Sequence, residues 1–120
     1  MVPGAVVTNR RLERIGPESF DGERLRREGT VAVAFLADWC PFCRAFEPEF
    51  ADLDRRTPAR LAVADVTADD SPLWERFRLE VIPTVIVFRD GRPAFRADAV
   101  PGRGLGRADL ERIRSAVHAA

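Results

Sequence analysis

Residues 30–37 read Thr-Val-Ala-Val-Ala-Phe-Leu-Ala, a near-continuous apolar run of strand length with β-branched content. A strand with one wet face alternates apolar and polar residues. One this uniformly apolar fits a central strand covered on both faces. The run leads into Trp39-Cys40-Pro41-Phe42-Cys43, which holds the only two cysteines of the chain. Pro41 occupies the favoured first position of a helix. Phe46, Phe50 and Leu53 repeat at helical spacing, so a helix is expected from Cys40 to about Arg55, kinked at Pro48. A lone Cys-x-x-Cys is half a zinc site or a redox pair. Placed after a buried strand on the first turn of a helix, and followed later by Ile82-Pro83-Thr84, it points to thiol–disulfide chemistry.

The remaining elements follow from local signals. Residues 1–10 read as an irregular N-terminal extension, with one domain over residues 11–120. Residues 12–15 suit a short first strand. Ser19 or Asp21 can cap a helix through residues 25–28, closed by Gly29. Residues 61–66 form the next strand. Asp69-Asp70-Ser71-Pro72 caps a helix through Trp74 and Phe77. Residues 83–88 form a fourth strand, and Asp90-Gly91 turns it into an antiparallel partner over residues 92–97. Residues 101–106 are read as a flexible loop. Leu110, Ile113 and Val117 mark a last helix. The order is βαβαβαββα, with helices for both faces of the sheet.

Composition narrows the functions. Arg supplies all 19 basic residues and Asp plus Glu number 19, so the formal net charge is zero. That balance gives no reason to expect nucleic acid or an acidic membrane surface as a partner. No apolar stretch is long enough to span a bilayer, and the N-terminus lacks the basic and apolar regions of a signal peptide. A cytoplasmic location is expected, where a cysteine pair is more often catalytic than a structural staple. Zinc needs about four ligands, and beyond the two cysteines the only other candidate is His118, so no metal is assigned. Trp74 and Phe77 read as core residues of their helix, and Arg24, Arg26 and Arg27 as a wet helix face.

Taken together, the chain resembles the thioredoxin family from about Leu12 to its end. The resemblance rests on Ser19-Phe20-Asp21, on Phe35-Leu36-Ala37-Asp38-Trp39-Cys40-Pro41-Phe42-Cys43, on Pro48, on Val81-Ile82-Pro83-Thr84 and on Asp90-Gly91. It implies a thioredoxin fold of class α/β, a central mixed sheet of four to five strands flanked by helices on both faces. It also implies that Cys40 attacks and Cys43 resolves, that Ile82–Pro83 is a cis peptide against the pair, and that Trp39 shapes the docking surface. The Ile82 backbone would pair with an extended substrate segment. The implied partners are protein disulfides and an external electron donor such as a thioredoxin reductase. No bound cofactor is implied, because the two sulfurs carry the electrons, and a monomer is expected.

Three departures from the family pattern bear on the chemistry. Pro41-Phe42 replaces the usual Gly-Pro and is closer to the Pro-Tyr of glutaredoxins and the Pro-His of periplasmic oxidases, so an intermediate potential is expected. The buried Asp and its Lys partner are absent, their positions being Ala34 and Val63. Both replacements are apolar, which spares the fold an unpaired buried carboxylate. Asp38 and Glu47 are then the nearest carboxylates that could shuttle a proton for Cys43. Val81 stands where Gly is usual and makes the groove beside Pro83 narrower and more apolar. Alternatives are a glutaredoxin-like, oxidase or isomerase activity, or a non-catalytic adaptor or redox sensor on the same fold.

Overall fold

The computed structural model describes residues 12–53 and 60–119. The proposed extension over residues 1–10 and the helix end at Arg55 lie outside the described residues.

Among the described residues five strands build one mixed sheet in the order β1-β5-β4-β6-β7. These are β1 (Glu13–Ile15), β4 (Thr30–Leu36), β5 (Arg60–Asp65), β6 (Thr84–Arg89) and β7 (Arg92–Asp98). The strand β4 is central, parallel to β5 and antiparallel to β6. From Val31 to Leu36 its residues are all buried. Among the described residues three helices flank the sheet: α1 (Pro41–Asp52), α2 (Pro72–Arg76) and α3 (Arg107–His118). Together they are the α/β architecture expected from the sequence.

Strand parity sorts the core into two layers. Val31, Val33 and Phe35 lie on one face, where Phe35 meets Phe20 and Phe77 with ring centroids 6.2 and 5.1 Å apart. Phe88 joins this cluster through Phe20 and Phe77. The α2 segment covers this layer. Ala34 and Leu36 lie on the other face, beside Val63 and Asp65 of β5 in register. There α1 brings down Cys43, Phe46 and Phe50, and α3 brings Leu110, Ile113 and Val117.

The helix expected over residues 21–28 does not form. Phe20–Asp21 (β2) and Arg24–Leu25 (β3) make a two-stranded antiparallel hairpin after a 3-10 turn at Pro17–Ser19. Gly22 takes φ 64, a conformation open to Gly at the first central position of a two-residue turn. Tertiary contacts then decide the outcome. The fully buried Leu25 donates its N–H to Gly91 O at 2.9 Å, and Arg26 N–H reaches Ser19 O at 2.9 Å. Helical φ/ψ would break both. Arg27 correspondingly leaves the expected wet helix face and pairs with Glu13 on β1. The hydrogen bond between them raises Arg27 and lowers Glu13 from their ordinary values.

The β6–β7 turn behaves as the sequence predicts. Asp90 and Gly91 both take positive φ, 52 and 89, as a two-residue hairpin loop of this twist requires. A Cβ on Gly91 would lie 2.7 Å from Leu25 O, so Gly91 also permits the docking of β3. Among the described residues no helix is long and apolar enough to cross a membrane.

Candidate active site

The site is assembled where β4 ends and α1 begins. Cys40 is the N-cap of α1, in extended conformation, and Pro41 follows at the first helical position. The Cys40 sulfur accepts a hydrogen bond from Cys43 N–H at 3.3 Å. It thereby takes the place of the hydroxyl or carboxylate oxygen that usually caps a helix. Its thiol faces Ile82 O at 3.8 Å, and Ile82–Pro83 is a cis peptide. Both cysteines are free thiols. Cys40 is 5% exposed and Cys43 1%.

The two sulfurs differ in electrostatic setting. Burial pushes the Cys43 thiol up to about 12, and its hydrogen bond with Cys40 adds to the effect. A backbone hydrogen bond at Ala37 works in the opposite direction, and the charges of Cys40 and Glu47 raise it further. Cys43 is therefore held as a neutral thiol, one turn below a sulfur that caps a helix.

Trp39 and Phe42 flank the pair and are exposed by 55% and 41%, a large apolar display for a molecule of this size. Trp39 is fixed twice. Its indole N–H donates to Thr67 O at 2.9 Å, and its ring stacks on Trp74 at 6.3 Å with an 8° interplanar angle. Trp74 is thus more than a core residue of α2. It supports the rim of the site, with its own N–H on Ala68 O at 3.1 Å. Pro41 is exposed beside Phe42, Val81 and Ile82 are half-buried and Pro83 is buried.

The segment carrying Val81 and Ile82 is anchored from β7. The Thr84 hydroxyl lies 2.9 Å from Val81 O and 2.9 Å from Asp98 Oδ1, and its one hydrogen serves either acceptor. Arg96 grips Asp98 at 3.0 Å and also donates to Phe77 O and Arg78 O.

The segment expected as a flexible loop is a closed turn. Val100 bridges Gly104, and both Arg103 N–H and Gly104 N–H donate to Val100 O, at 2.8 and 2.9 Å. Gly104 has φ 75, and a Cβ there would lie 3.0 Å from the Phe42 ring. Phe42 therefore seats on this turn, which ties the residue between the cysteines to the opposite rim. Gly104→Ala is expected to cost about 1–2 kcal/mol from the left-handed backbone and to push Phe42 off its seat. A lowered urea midpoint with slower attack on a protein disulfide would show both. An unchanged midpoint would contradict this seating.

Ala34 and Val63 pair in register, and both are buried. No carboxylate lies in the sheet layer at those two positions. Beside them opens a cleft of about 420 Å³ with Cys43 in its wall. Its charged lining is Arg14, Asp38, Arg44, Glu47 and Asp65. The candidates Asp38 and Glu47 thus share the cleft with Cys43, and Asp38 is exposed. Arg14 and Asp65 are additions that the sequence reading missed. The signal for Asp65 is its parity with Val63 at the end of an apolar strand. Arg14 becomes visible only once β1 is known to pair with β5. His118 is exposed on the last turn of α3. No cluster of three metal-ligating side chains occurs among the described residues.

A family profile described as thioredoxin matches residues 12–113. The chain belongs to the thioredoxin family. Among curated relatives, the thioredoxin of Rhodospirillum rubrum is 29% identical over 84 residues, covering 69% of this chain and 81% of that one. The thioredoxin of Mycobacterium bovis is 31% identical over 91 residues, covering 75% and 78%. Among solved structures, oxidised mitochondrial thioredoxin 3 from Saccharomyces cerevisiae superposes with a TM-score of 0.65 at 21% identity, covering 87% of this chain and 93% of that one. Thioredoxin f2 from Chlamydomonas reinhardtii gives 0.63 at 20% identity, over 73% and 83%. These likenesses to solved structures concern the fold. The fold together with the close cysteine pair is that of a redox-active site.

Proposed function

We propose that this thioredoxin-family chain is an oxidoreductase that exchanges disulfides with protein substrates. Cys40 attacks and Cys43 resolves. The observation that carries the reading is the Cys40 sulfur at the helix N-cap, facing Ile82 O and bordered by exposed Trp39 and Phe42.

In the first step the Cys40 sulfur, as the thiolate, donates its electron pair to one sulfur of a substrate disulfide. The substrate S–S bond breaks, and the other substrate sulfur leaves as thiolate. In the second step the Cys43 sulfur attacks Cys40, forms the Cys40–Cys43 disulfide and expels the second substrate sulfur. The short spacing makes that step intramolecular and fast. The protein ends oxidised by two electrons and the substrate reduced by two. An external dithiol donor of the thioredoxin-reductase class must return them. The apolar rim of Trp39, Phe42, Val81 and Ile82 suits an extended segment of a protein substrate whose backbone pairs at Ile82. Placement in the cytoplasm belongs to the same proposal and rests on the chemistry of a pair that must be re-reduced.

The test is a trap. Cys43→Ser incubated with a disulfide-bonded protein is expected to accumulate a covalent mixed disulfide on Cys40, released by dithiothreitol. Failure to form any adduct, or an adduct that persists in Cys40→Ser, would sink the reading.

A further inference from the structure

The second step has an unmet requirement. Cys43 is a thiol at neutral pH, and its attack on Cys40 needs the proton removed. The strand positions Ala34 and Val63 offer no base. We propose that Glu47 takes the Cys43 proton across the adjoining cleft, and that Arg14 is the positioning residue that holds the Glu47 carboxylate there. This rests on the disulfide-exchange reading above.

Four observations carry it. Glu47 lies four residues after Cys43 on α1, so both side chains share one helix face. Both line the same cleft of about 420 Å³, which is roomy enough for water to bridge them. The Glu47 carboxylate lies close enough to Cys43 for its charge to help hold the thiol protonated, the least of the influences on it. Arg14 reaches across from β1 and places Nη2 at 3.4 and 3.3 Å from the two Glu47 oxygens. With its side chain 32% exposed, Glu47 also touches solvent, to which the proton can later pass.

The other groups facing Glu47 are Asp65 from β5, Asp38 from the turn before α1, and Arg44 from α1 itself. Asp65 Oδ1 already accepts from Thr67 N–H at 2.8 Å. Arg44 is turned toward Asp38 O at 3.3 Å. The proton balance is simple. The Cys43 S–H bond breaks as its electron pair forms the new S–S bond to Cys40. The substrate sulfur leaves with the pair of the broken mixed disulfide, and Glu47 holds the proton until it passes to that thiolate or to water.

The experiment is single-turnover kinetics of the full chain against a disulfide-bonded protein at saturating concentration, from pH 6 to 10. The first-order resolving rate is read in wild type, Glu47→Gln, Arg14→Gln, Arg14→Lys and Asp65→Asn. Cys40 attack is read separately as adduct formation in Cys43→Ser, with and without Glu47→Gln. Glu47→Gln is expected to slow resolution at least about tenfold at pH 7 and to leave Cys40 attack unchanged. Its sign with pH is also fixed. Without the acceptor, the attacking fraction is the free thiolate of a thiol that burial holds well above its ordinary value, so the rate should climb about tenfold per pH unit. Wild type should be flatter over the same range. Arg14→Gln should show a smaller loss, recovered in Arg14→Lys. The proposal is overturned if Glu47→Gln leaves the resolving rate and its pH slope unchanged, or if Asp65→Asn produces the loss instead. Absence of any adduct in Cys43→Ser alone would overturn the disulfide reading and this proposal together.

Discussion

Cys40→Ser is expected to abolish disulfide reduction, with a loss of at least about a thousandfold, while leaving the fold intact. The nucleophile in this chemistry is a thiolate, and a serine hydroxyl neither ionises near neutral pH nor forms a bond that the second thiol could displace. The fold should survive because the replaced side chain is a helix cap. Cys40 Sγ accepts the Cys43 N–H, and Ser is among the residues best suited to that duty. The thermal midpoint should therefore move little, which separates a chemical loss from a structural one. The assay is reduction of a disulfide-bonded protein with dithiothreitol as donor, beside a melting curve of each variant. Residual turnover of more than a few per cent would show that Cys40 is not the attacking group.

The largest loss of stability should come from the opposite layer. Phe35→Ala is expected to cost about 3–5 kcal/mol. Phe35 is fully buried on the central strand, and its ring touches Phe20 and Phe77. Truncation leaves a cavity ringed by aromatic edges that belong to a hairpin, a helix end and a strand. These cannot close together without breaking the β4 ladder. Domains of this size hold about 5–15 kcal/mol in all, so the variant should stand at the margin of folding. Urea denaturation monitored by far-ultraviolet dichroism reads the shift directly. A cost under about 1 kcal/mol would mean that the aromatic cluster does not carry the core.

Phe35 also shows why much of the fold was legible. An apolar run with no alternation admits few placements, and the cysteine motif behind it fixes where the strand must stop. The Asp90-Gly91 turn was read from local backbone chemistry alone, because only a few residues accept positive φ. The same dipeptide, Asp21-Gly22, is ambiguous in sequence, because Asp21 or Ser19 can equally cap a helix through residues 25–28 that Gly29 would close. What decides for the hairpin is a hydrogen bond from Leu25 to Gly91, residues far apart in sequence. The site divides in the same way. Cys40, Cys43, Trp39 and Pro83 announce themselves by motif. Arg14, Asp65, Trp74 and Gly104 do not, because each matters only through what a distant strand or turn brings beside it. Glu47 sits between these cases. Its helical spacing from Cys43 was readable, whereas its grip by Arg14 required the strand order.

The stacked indoles have a consequence for how the molecule can be watched. Trp39 and Trp74 are the only tryptophans, and the chain has no tyrosine. Nearly all absorption and emission above the phenylalanine band therefore arises from two nearly parallel rings 6.3 Å apart, one of them adjacent in sequence to Cys40. Chromophores so close share their excitation, and sulfur in thiolate or disulfide form quenches indole light to different degrees. The protein is thus an optical instrument with a single field of view. Its native fluorescence arises at one place, the rim beside the cysteine pair, with no other tryptophan and no tyrosine elsewhere in the chain.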